Sequence, residues 1–312
     1  MSLEQKVKHC YEDAPFPDSL RKAKNFNKEL DRIVKWTKLN LDFLSNELIS
    51  KHPKAILCAG CGTGEEVIAL SRIYPKSKIL GVDISNASIS IALQNIKKAR
   101  VKNVKILKCS IIDDLPNLSR KFDLVYSCGV IHHLSNPRKG FSILSTKLTK
   151  RGKMIIMLYN SYGLFFYKCQ LWILDFLSGK NISIRMFLVR LLDLGKGKSK
   201  AFVYDAYINP QVTTYSIEKI IQWSYRKNLK ITGVVPPLSL KLMINYGTEG
   251  KDYYFRRKGL ISFGLKVAKK IFGQNKRDIN ISLNLNPVVT FLYQIIFLIF
   301  GRGETVYLLE KK

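Results

Sequence analysis

The sequence predicts an α/β protein with a doubly wound parallel sheet. Between residues 54 and 160, short apolar segments alternate with amphipathic helical segments. Strands that alternate with helices form parallel sheets through right-handed crossovers, and the helices then cover both faces of the sheet. The composition is typical of a globular protein, because 46% of the residues are apolar and 24% are charged.

Each element of this region has its own signal. An apolar run bounded by turn residues indicates a strand, and a stripe of apolar residues at helical spacing indicates a helix. The helix predicted over 86–100, for example, carries Ile89, Ala92 and Ile96 on one face, with Ser85 or Asn86 as its N-cap. The strands are expected over 55–59, 78–83, 104–108, 122–127 and 153–159, and the helices over 65–74, 86–100 and 137–148.

Beyond residue 160 the regular alternation stops and later returns. One or two apolar helices are expected within 161–200, and a helix over 215–228 begins at the N-cap residue Ser216. Two further strands are expected, over 229–235 and 304–310. The predicted organisation is an N-terminal helical arm or lid (1–50), a core (51–160), a helical cap insertion (161–214), a core continuation (215–236), a second insertion (237–302) and a final core strand (303–312).

The charge balance favours anionic partners. The chain has 52 Lys and Arg against 23 Asp and Glu, a formal net charge of +29. Such a field attracts nucleic acid, anionic lipid headgroups or acidic substrates. The alternative is compositional, since most of the cations are lysines spread singly along the chain.

The chain shows no targeting or membrane-spanning signal. The first ten residues include Glu4 and no apolar run, so no signal peptide is expected. The apolar stretch 288–300 is interrupted by Thr290 and Gln294 and is shorter than the roughly 20 residues of a spanning helix. The six cysteines are scattered and are expected to be reduced thiols. A cytoplasmic location follows, with peripheral membrane contact as an open alternative.

A glycine-rich turn follows the first predicted strand. It reads Gly-Cys-Gly-Thr-Gly over 60–64, and Asp83 ends the next strand about 20 residues on. Glycines let a backbone approach a ligand closely, and an acidic residue at this second position binds ribose hydroxyls in nucleoside-binding α/β folds. The dinucleotide pattern G-x-G-x-x-G fails, because the third glycine is replaced by Glu65 or Val67. The pattern therefore predicts a nucleoside with a short tail.

Five segments, in this order and spacing, resemble the class I S-adenosylmethionine-dependent methyltransferases: AILCAGCGTGE, LGVDIS, CSIIDDL, FDLVYSCGVIHHLSNP and LTKRGKMIIMLYN. The resemblance covers residues 54–160 and extends to 215–236 and the final strand. It implies a Rossmann-like seven-stranded sheet whose last strand is antiparallel, with helical cap insertions. It also implies S-adenosyl-L-methionine as the cofactor.

The resemblance assigns roles to ten residues. The turn residues Gly60, Cys61, Gly62 and Gly64 would cradle the methionine part of the cofactor, and Cys128 and Gly129 would line the sulfonium. Asp83 would hold the ribose hydroxyls. Ile84 would pack on the adenine, and Ser110 and Ile111 would lie along its polar edge. Many relatives have Asp where this chain has Ser110. A hydroxyl accepts a hydrogen bond more weakly than a carboxylate. Asp113 or Asp114 would substitute for the missing carboxylate, unless the pair belongs to a solvated loop.

The acceptor side is less specific in sequence. His132 and His133 follow the fourth strand, where a histidine would act as a general base, and His133 is the preferred candidate. Alternatively, the pair only shapes the loop. Asp205, Tyr207 and Asn209 lie in a segment that resembles a D-x-Y-x-(H/N)-P element of bacterial methyltransferases and would face the acceptor, unless they form a capped turn. No metal site is expected, because the C-x-x-C pair supplies only two ligands.

The segments outside the core point to the substrate. Residues 11–17, with two prolines, resemble a segment that closes over the cofactor in some relatives, the alternative being a plain arm. The apolar helices at 161–178 and 288–300 would bury an apolar substrate or rest on a membrane, aided by Lys168, Lys180 and Arg185, or else pack on each other.

The predicted function is methyl transfer to an oxygen, nitrogen or carbon atom of a small-molecule or lipid-like acceptor. Two alternatives stay open: an RNA methyltransferase that uses the basic surface, and a non-catalytic S-adenosylmethionine-binding regulatory protein. Tyr-Asn-Ser-Tyr at 159–162 replaces the Asn/Asp-Pro-Pro-aromatic motif, which disfavours methylation of DNA bases. The sequence does not determine the oligomeric state.

Overall fold

A computed structural model describes residues 1–45, 48, 52–179, 181–235, 287, 290–292, 294–295 and 303–311. Seven strands of this described part form one sheet: β1 (Ala55–Ala59), β2 (Lys78–Asp83), β3 (Val104–Lys108), β4 (Phe122–Cys128), β5 (Leu148–Tyr159), β6 (Leu229–Val235) and β7 (Glu304–Lys311). Their order is β3-β2-β1-β4-β5-β7-β6, and β7 runs antiparallel to both of its neighbours. The predicted fold class, including the antiparallel last strand, is confirmed.

Several helices of the described part begin at residues that the sequence marks as caps. They are α1 (Leu3–Asp13), α2 (Ser19–Lys22), α3 (Phe26–Leu44), α4 (Glu65–Ile73), α5 (Asn86–Ala99), α6 (Pro137–Thr146), α7 (Phe165–Ser178), α8 (Ile182–Leu191), α9 (Lys200–Val203) and α10 (Ile217–Tyr225). Ser85 accepts a hydrogen bond from the Ser88 amide, and Ser216 accepts one from the Lys219 amide. Such a cap stabilises a helix by about 1 kcal/mol.

The two faces of the sheet are covered by different helices. On one face Phe141 of α6 and Trp223 of α10 pack with the inward side chains of the strands. On the other face Leu41 of α3 and Leu70 of α4 do the same. A separate cluster around Leu174 joins α7 and α8 and lies outside the main core.

The fifth strand differs from the sequence-based expectation in its first residue. The fifth strand begins at Leu148 instead of 153, because Leu148 pairs with Phe122 before a register shift brings Lys153 opposite Leu124. The predicted second insertion falls almost entirely outside the described residues. The proposed domain boundaries therefore stay predictions. None of the helices in the described part has the length and apolar character needed to cross a bilayer.

Phe141→Ala tests the packing of the main core. Phe141 is 1% exposed, and its ring centroid lies 5.5 Å from that of Trp223. Removing a buried aromatic ring leaves a cavity, so we expect the free energy of unfolding to fall by about 3–5 kcal/mol in chemical denaturation. The control is Phe187→Ala on α8, where the ring is 62% exposed and the expected change is within about 0.5 kcal/mol. Equal losses in the two variants would contradict this assignment of the core.

Candidate active site

A cavity of about 640 Å³ opens at the carboxyl ends of β1, β2 and β4. In parallel α/β sheets this is the edge where the loops that follow the strands meet and ligands bind. The lining includes Gly60 and Gly62 after β1, Asp83 and Ile84 at the end of β2, and Cys128, Gly129 and His133 after β4. The N-terminal helix α1, helix α3 and the cap residues 197–199 and 202 contribute other walls.

The glycine turn is shaped by the segments that pack on it. Gly60 and Gly62 have φ angles of 75° and 49°, in the left-handed region that favours glycine. A Cβ atom at Gly60 would lie 2.3 Å from the Val130 side chain, and one at Gly62 would lie 2.4 Å from the Phe16 carbonyl oxygen. The glycines therefore make room for other parts of the protein while their backbone faces the cavity.

Asp83 links the turn after β1 to the turn after β2. Its Oδ2 accepts a hydrogen bond from the Gly62 amide at 2.8 Å, and its Oδ1 accepts one from the Ser85 amide at 2.9 Å. Burial raises the pKa of this carboxyl, while the amide hydrogen bonds lower it. Each carboxylate oxygen has a second acceptor position, and Asp83 lines the cavity. The group is thus held rigidly with capacity left for hydroxyl donors.

The loop after β3 meets α1 at one end of the cavity. Cys109 and Ile111 line the cavity, but Ser110 between them does not. The Ser110 hydroxyl lies 2.5 Å from Oε1 of Glu4, and Glu4 does line the cavity. Desolvation is the main cause that raises the pKa of Glu4, and the charge of Asp113 adds to it. No local pattern in the sequence indicates Glu4, because 106 residues separate it from Ser110.

His133 is held by a network of buried polar groups. Its Nδ1 lies 2.7 Å from the Gln211 carbonyl oxygen, and its Nε2 lies 3.6 Å from Oδ1 of Asp205. The Tyr11 hydroxyl donates to Oδ1 of Asp205 at 2.7 Å, and the Asn209 amide donates to the Tyr11 oxygen at 3.0 Å. A carbonyl oxygen has no proton, so the short contact assigns the proton to Nδ1. Nε2 is then the nitrogen that would take up a proton.

Tyr11 stays a donor in this network. Burial raises its pKa well above the usual value, and the Asp205 carboxylate beside it raises the pKa further. Tyr159 also faces Asp205 and is affected in the same way. A protonated His133 would find Asp205 in position to stabilise its charge. The arrangement fits a general base.

The two histidines have different surroundings. His132 is fully buried and stacks on Tyr159 with 3.9 Å between the ring centroids. Its ring nitrogens have no hydrogen-bond partner in the described part of the chain, and burial lowers its pKa well below the usual value. His132 is therefore neutral and does not line the cavity.

The predicted acceptor-facing residues are also divided. Asp205 and Asn209 are buried and contact the His133 network, although neither lines the cavity. Tyr207 instead packs in the cap against Tyr167, with ring centroids 5.9 Å apart. The structure thus brings Asp205 and Asn209 to the site and leaves Tyr207 in the cap.

The far end of the cavity contains an enclosed carboxyl group that sequence reasoning missed. Glu66 lines the cavity with Tyr126 and Cys128. Burial raises the pKa of Glu66 to about 8, with a further contribution from the charge of Glu65, while a hydrogen bond from Tyr126 lowers it. Within the described residues, no group of three or more His, Cys, Asp or Glu side chains is arranged to hold a metal ion.

Comparison with known proteins identifies the domain. Residues 50–175 match the family model described as a methyltransferase domain. This part of the chain is a class I S-adenosylmethionine-dependent methyltransferase domain. It belongs to a class of enzymes whose cofactor is S-adenosylmethionine.

Two relatives are similar to the methyltransferase domain in sequence. Over 108 residues the chain is 40% identical to an uncharacterized protein from Rickettsia prowazekii, a match that covers 34% of this chain and 42% of that protein. Over 109 residues it is 30% identical to a malonyl-[acyl-carrier protein] O-methyltransferase from a Paenibacillus species, which covers 35% and 38%. The chain spans 14–42% of the length of the first three curated relatives that it matches.

A solved structure is similar over a longer part. PKMT2 from Rickettsia typhi, in complex with AdoHcy, superposes with a TM-score of 0.55 at 20% identity and covers 88% of this chain and 52% of that one. At 20% sequence identity, this structural similarity shows that the two chains share a fold.

The cavity of the methyltransferase domain fits its cofactor. A volume of about 640 Å³ lies within the usual range for a cofactor or drug-sized ligand. Asp83 has acceptor capacity left for a ribose diol, and the apolar side chains of Ile84 and Ile111 line the cavity near it.

Glu66→Gln tests the burial of the carboxyl group at the far end. An unfolded glutamate has a pKa near 4.5, so between pH 4.5 and about 8 the folded protein binds this proton more tightly than the unfolded chain. The stability of the wild type therefore falls as pH rises through that window. We expect Glu66→Gln to gain stability relative to the wild type from pH 5 to pH 9, on the order of a few kcal/mol, in denaturant titrations.

The control for loss of a charge is Asp31→Asn, at an exposed position on α3. Its stability difference from the wild type should change much less between pH 5 and pH 9. A Glu66→Gln difference that is the same at both pH values would show that Glu66 is in contact with bulk water.

Proposed function

We propose that this protein transfers a methyl group from S-adenosylmethionine to a lipid-like acceptor taken from a membrane surface. The observation that carries the proposal is one cavity lined by the glycine turn, Asp83 and His133 and also by cap residues 197–199 and 202. Among the described residues, most of the exposed large apolar side chains also lie in the cap.

The cofactor would be held by the residues already described. The backbone of the glycine turn, which lines the cavity at Gly60 and Gly62, would lie against its methionine part. Asp83 would accept hydrogen bonds from the ribose hydroxyls, and Ile84 and Ile111 would pack on the base. When bound, the cofactor supplies a methyl group on a positively charged sulfur, which is already reactive. The protein therefore contributes mainly proximity and alignment of the acceptor.

His133 would take the proton from an oxygen or nitrogen nucleophile of the acceptor. Nε2 receives the proton, and the resulting charge lies 3.6 Å from Oδ1 of Asp205. Tyr11 donates to Asp205 and Asn209 donates to Tyr11, so both act as positioning residues. The Paenibacillus relative is named as an O-methyltransferase, which agrees with an oxygen nucleophile.

The surface of the cap supports a lipid-like acceptor. Phe166, Trp172 and Phe176 on α7 are 69–76% exposed, and Phe187 and Leu191 on α8 are more than 60% exposed. Trp172 and Phe176 stack on each other, with 6.1 Å between the ring centroids. Exposed apolar side chains that lie together mark sites of interaction with a partner or a membrane. Lysines of the same region, Lys168, Lys196, Lys198 and Lys200, would contact anionic headgroups. Lys198 and Phe202 also line the cavity.

Asp83→Ala tests the cofactor assignment. Removing a carboxylate that accepts hydrogen bonds from a ribose diol should weaken binding of S-adenosylhomocysteine by about tenfold to a hundredfold in isothermal titration calorimetry. Asp83→Asn should be intermediate, because one acceptor oxygen remains. Asp31→Ala is the control, and circular dichroism checks that each variant is folded. Unchanged affinity in Asp83→Ala would remove Asp83 from the site.

Methyl-tritiated S-adenosylmethionine identifies the acceptor class. We expect the purified protein to label the lipid fraction of a cell extract, and His133→Gln to label it at least about tenfold more slowly. In sedimentation, the protein should bind phosphatidylcholine vesicles that contain phosphatidylglycerol better than phosphatidylcholine alone. Phe166→Ser with Phe176→Ser should weaken that binding.

The control for the surface is Leu93→Ser, which removes an apolar side chain that is 52% exposed on α5, away from the cap. Label in RNA, together with RNA binding that weakens steeply with salt, would show that the acceptor is RNA and that the positively charged surface binds it. Cofactor binding without label in any fraction would favour the non-catalytic alternative.

A further inference from the structure

Helix α1 is fixed over the cavity by its own carboxyl groups. Near its C-terminal end, the Glu12 side chain accepts hydrogen bonds at 2.8 Å from the amides of both Asn86 and Ala87. These amides are among the first of α5, which have no partner within their own helix and carry partial positive charge. This contact, together with the bond from Tyr11 to Asp205, sets where the first turn of α1 lies.

The first turn of α1 places Glu4 against the loop after β3. The hydroxyl of Ser110 accepts hydrogen bonds from the amides of Ile112 at 3.2 Å and Asp113 at 3.1 Å. Its one proton points to Oε1 of Glu4 at 2.5 Å, which is shorter than the 3.4 Å to Asp113. A hydroxyl has one proton and two lone pairs. Ser110 therefore has no acceptor position left for a ligand.

The carboxyl group of Glu4 belongs to a residue that lines this end of the cavity. It lines the cavity together with Ile84, Cys109 and Ile111, whereas Ser110 does not. One carboxylate oxygen accepts from Ser110, and the carboxylate as a whole retains acceptor positions. Apolar side chains with one carboxylate at the edge suit a flat heteroaromatic ring that carries an amino donor.

We propose that Glu4 accepts a hydrogen bond from the exocyclic amino group of the cofactor's adenine base. This assignment rests on the proposed function, and it moves the recognition of the base from the loop after β3 to helix α1. A carboxylate at this position would make the site specific for a purine that carries an amino group. A purine with an oxo group at the same position would present a lone pair to the carboxylate, and the two would repel each other.

The affinities of two ligands distinguish recognition of the adenine by Glu4 from a purely structural role of Glu4. The protein is titrated calorimetrically with S-adenosylhomocysteine and with S-inosylhomocysteine, in which a carbonyl oxygen replaces the amino group. A hydrogen bond to a charged acceptor contributes enough for the wild type to prefer the adenine ligand by about tenfold or more. We expect Glu4→Ala to reduce this preference to about threefold or less, and Glu4→Gln to narrow it because an amide also donates.

The preference is a ratio of two affinities for the same variant, so a general loss of folding or docking cancels. Asp13→Asn is the matched control, because it removes a carboxylate from the same helix at a position that does not line the cavity. It should keep the wild-type preference.

Each outcome decides the assignment. If Glu4→Ala keeps the preference for the adenine ligand and Ser110→Ala loses it, Ser110 recognises the base and the inference is overturned. A wild type that binds both ligands equally well also overturns it, while the proposed function stands. A wild type that binds neither ligand overturns both.

Discussion

The docking of α1 against the amino end of α5 is the contact on which most of the cavity depends. Glu12 satisfies two backbone donors that α5 cannot satisfy itself. The segment that follows α1 then reaches the glycine turn, where the Phe16 carbonyl accepts from the Thr63 amide and the Pro17 carbonyl accepts from the Thr63 hydroxyl. The sheet supplies the floor of the cavity, and the first 17 residues supply much of its roof.

The electrostatics of the cavity favour a positively charged ligand. Glu4, Glu66 and Asp83 all line it, and burial raises the pKa of each. Carboxyl groups in a poorly solvated space are stabilised by a nearby cation. S-adenosylmethionine carries a sulfonium and an ammonium group, whereas S-adenosylhomocysteine lacks the sulfonium charge. A bound cation favours the ionised form of a carboxyl group, so we expect S-adenosylmethionine to lower the pKa of these groups more than S-adenosylhomocysteine does.

The sequence predicts the sheet well because its signals are local. Short apolar runs, glycine and aspartate at strand ends, and caps such as Ser85 and Ser216 are read within a few residues. The glycine turn and Asp83 are found in the same way. Glu4 and Tyr11 are not, since their partners Ser110 and Asp205 lie 106 and 194 residues away and meet them only through the docking of α1. Sequence reasoning considered Asp113 and Asp114 for the place that Glu4 takes beside Ser110.

The histidine pair shows where local reasoning ends. His132 and His133 share one tight turn, in which successive side chains point in different directions. What distinguishes them comes from the cap, because Asp205, Asn209 and the Gln211 carbonyl all reach His133 and none reaches the ring of His132. Residues 197–199 and 202, which precede these three in the chain, line the cavity. One segment of the cap thus contacts the proposed base and lines the cavity that the proposed acceptor would enter, so docking of that acceptor and alignment of the base would depend on the same part of the chain.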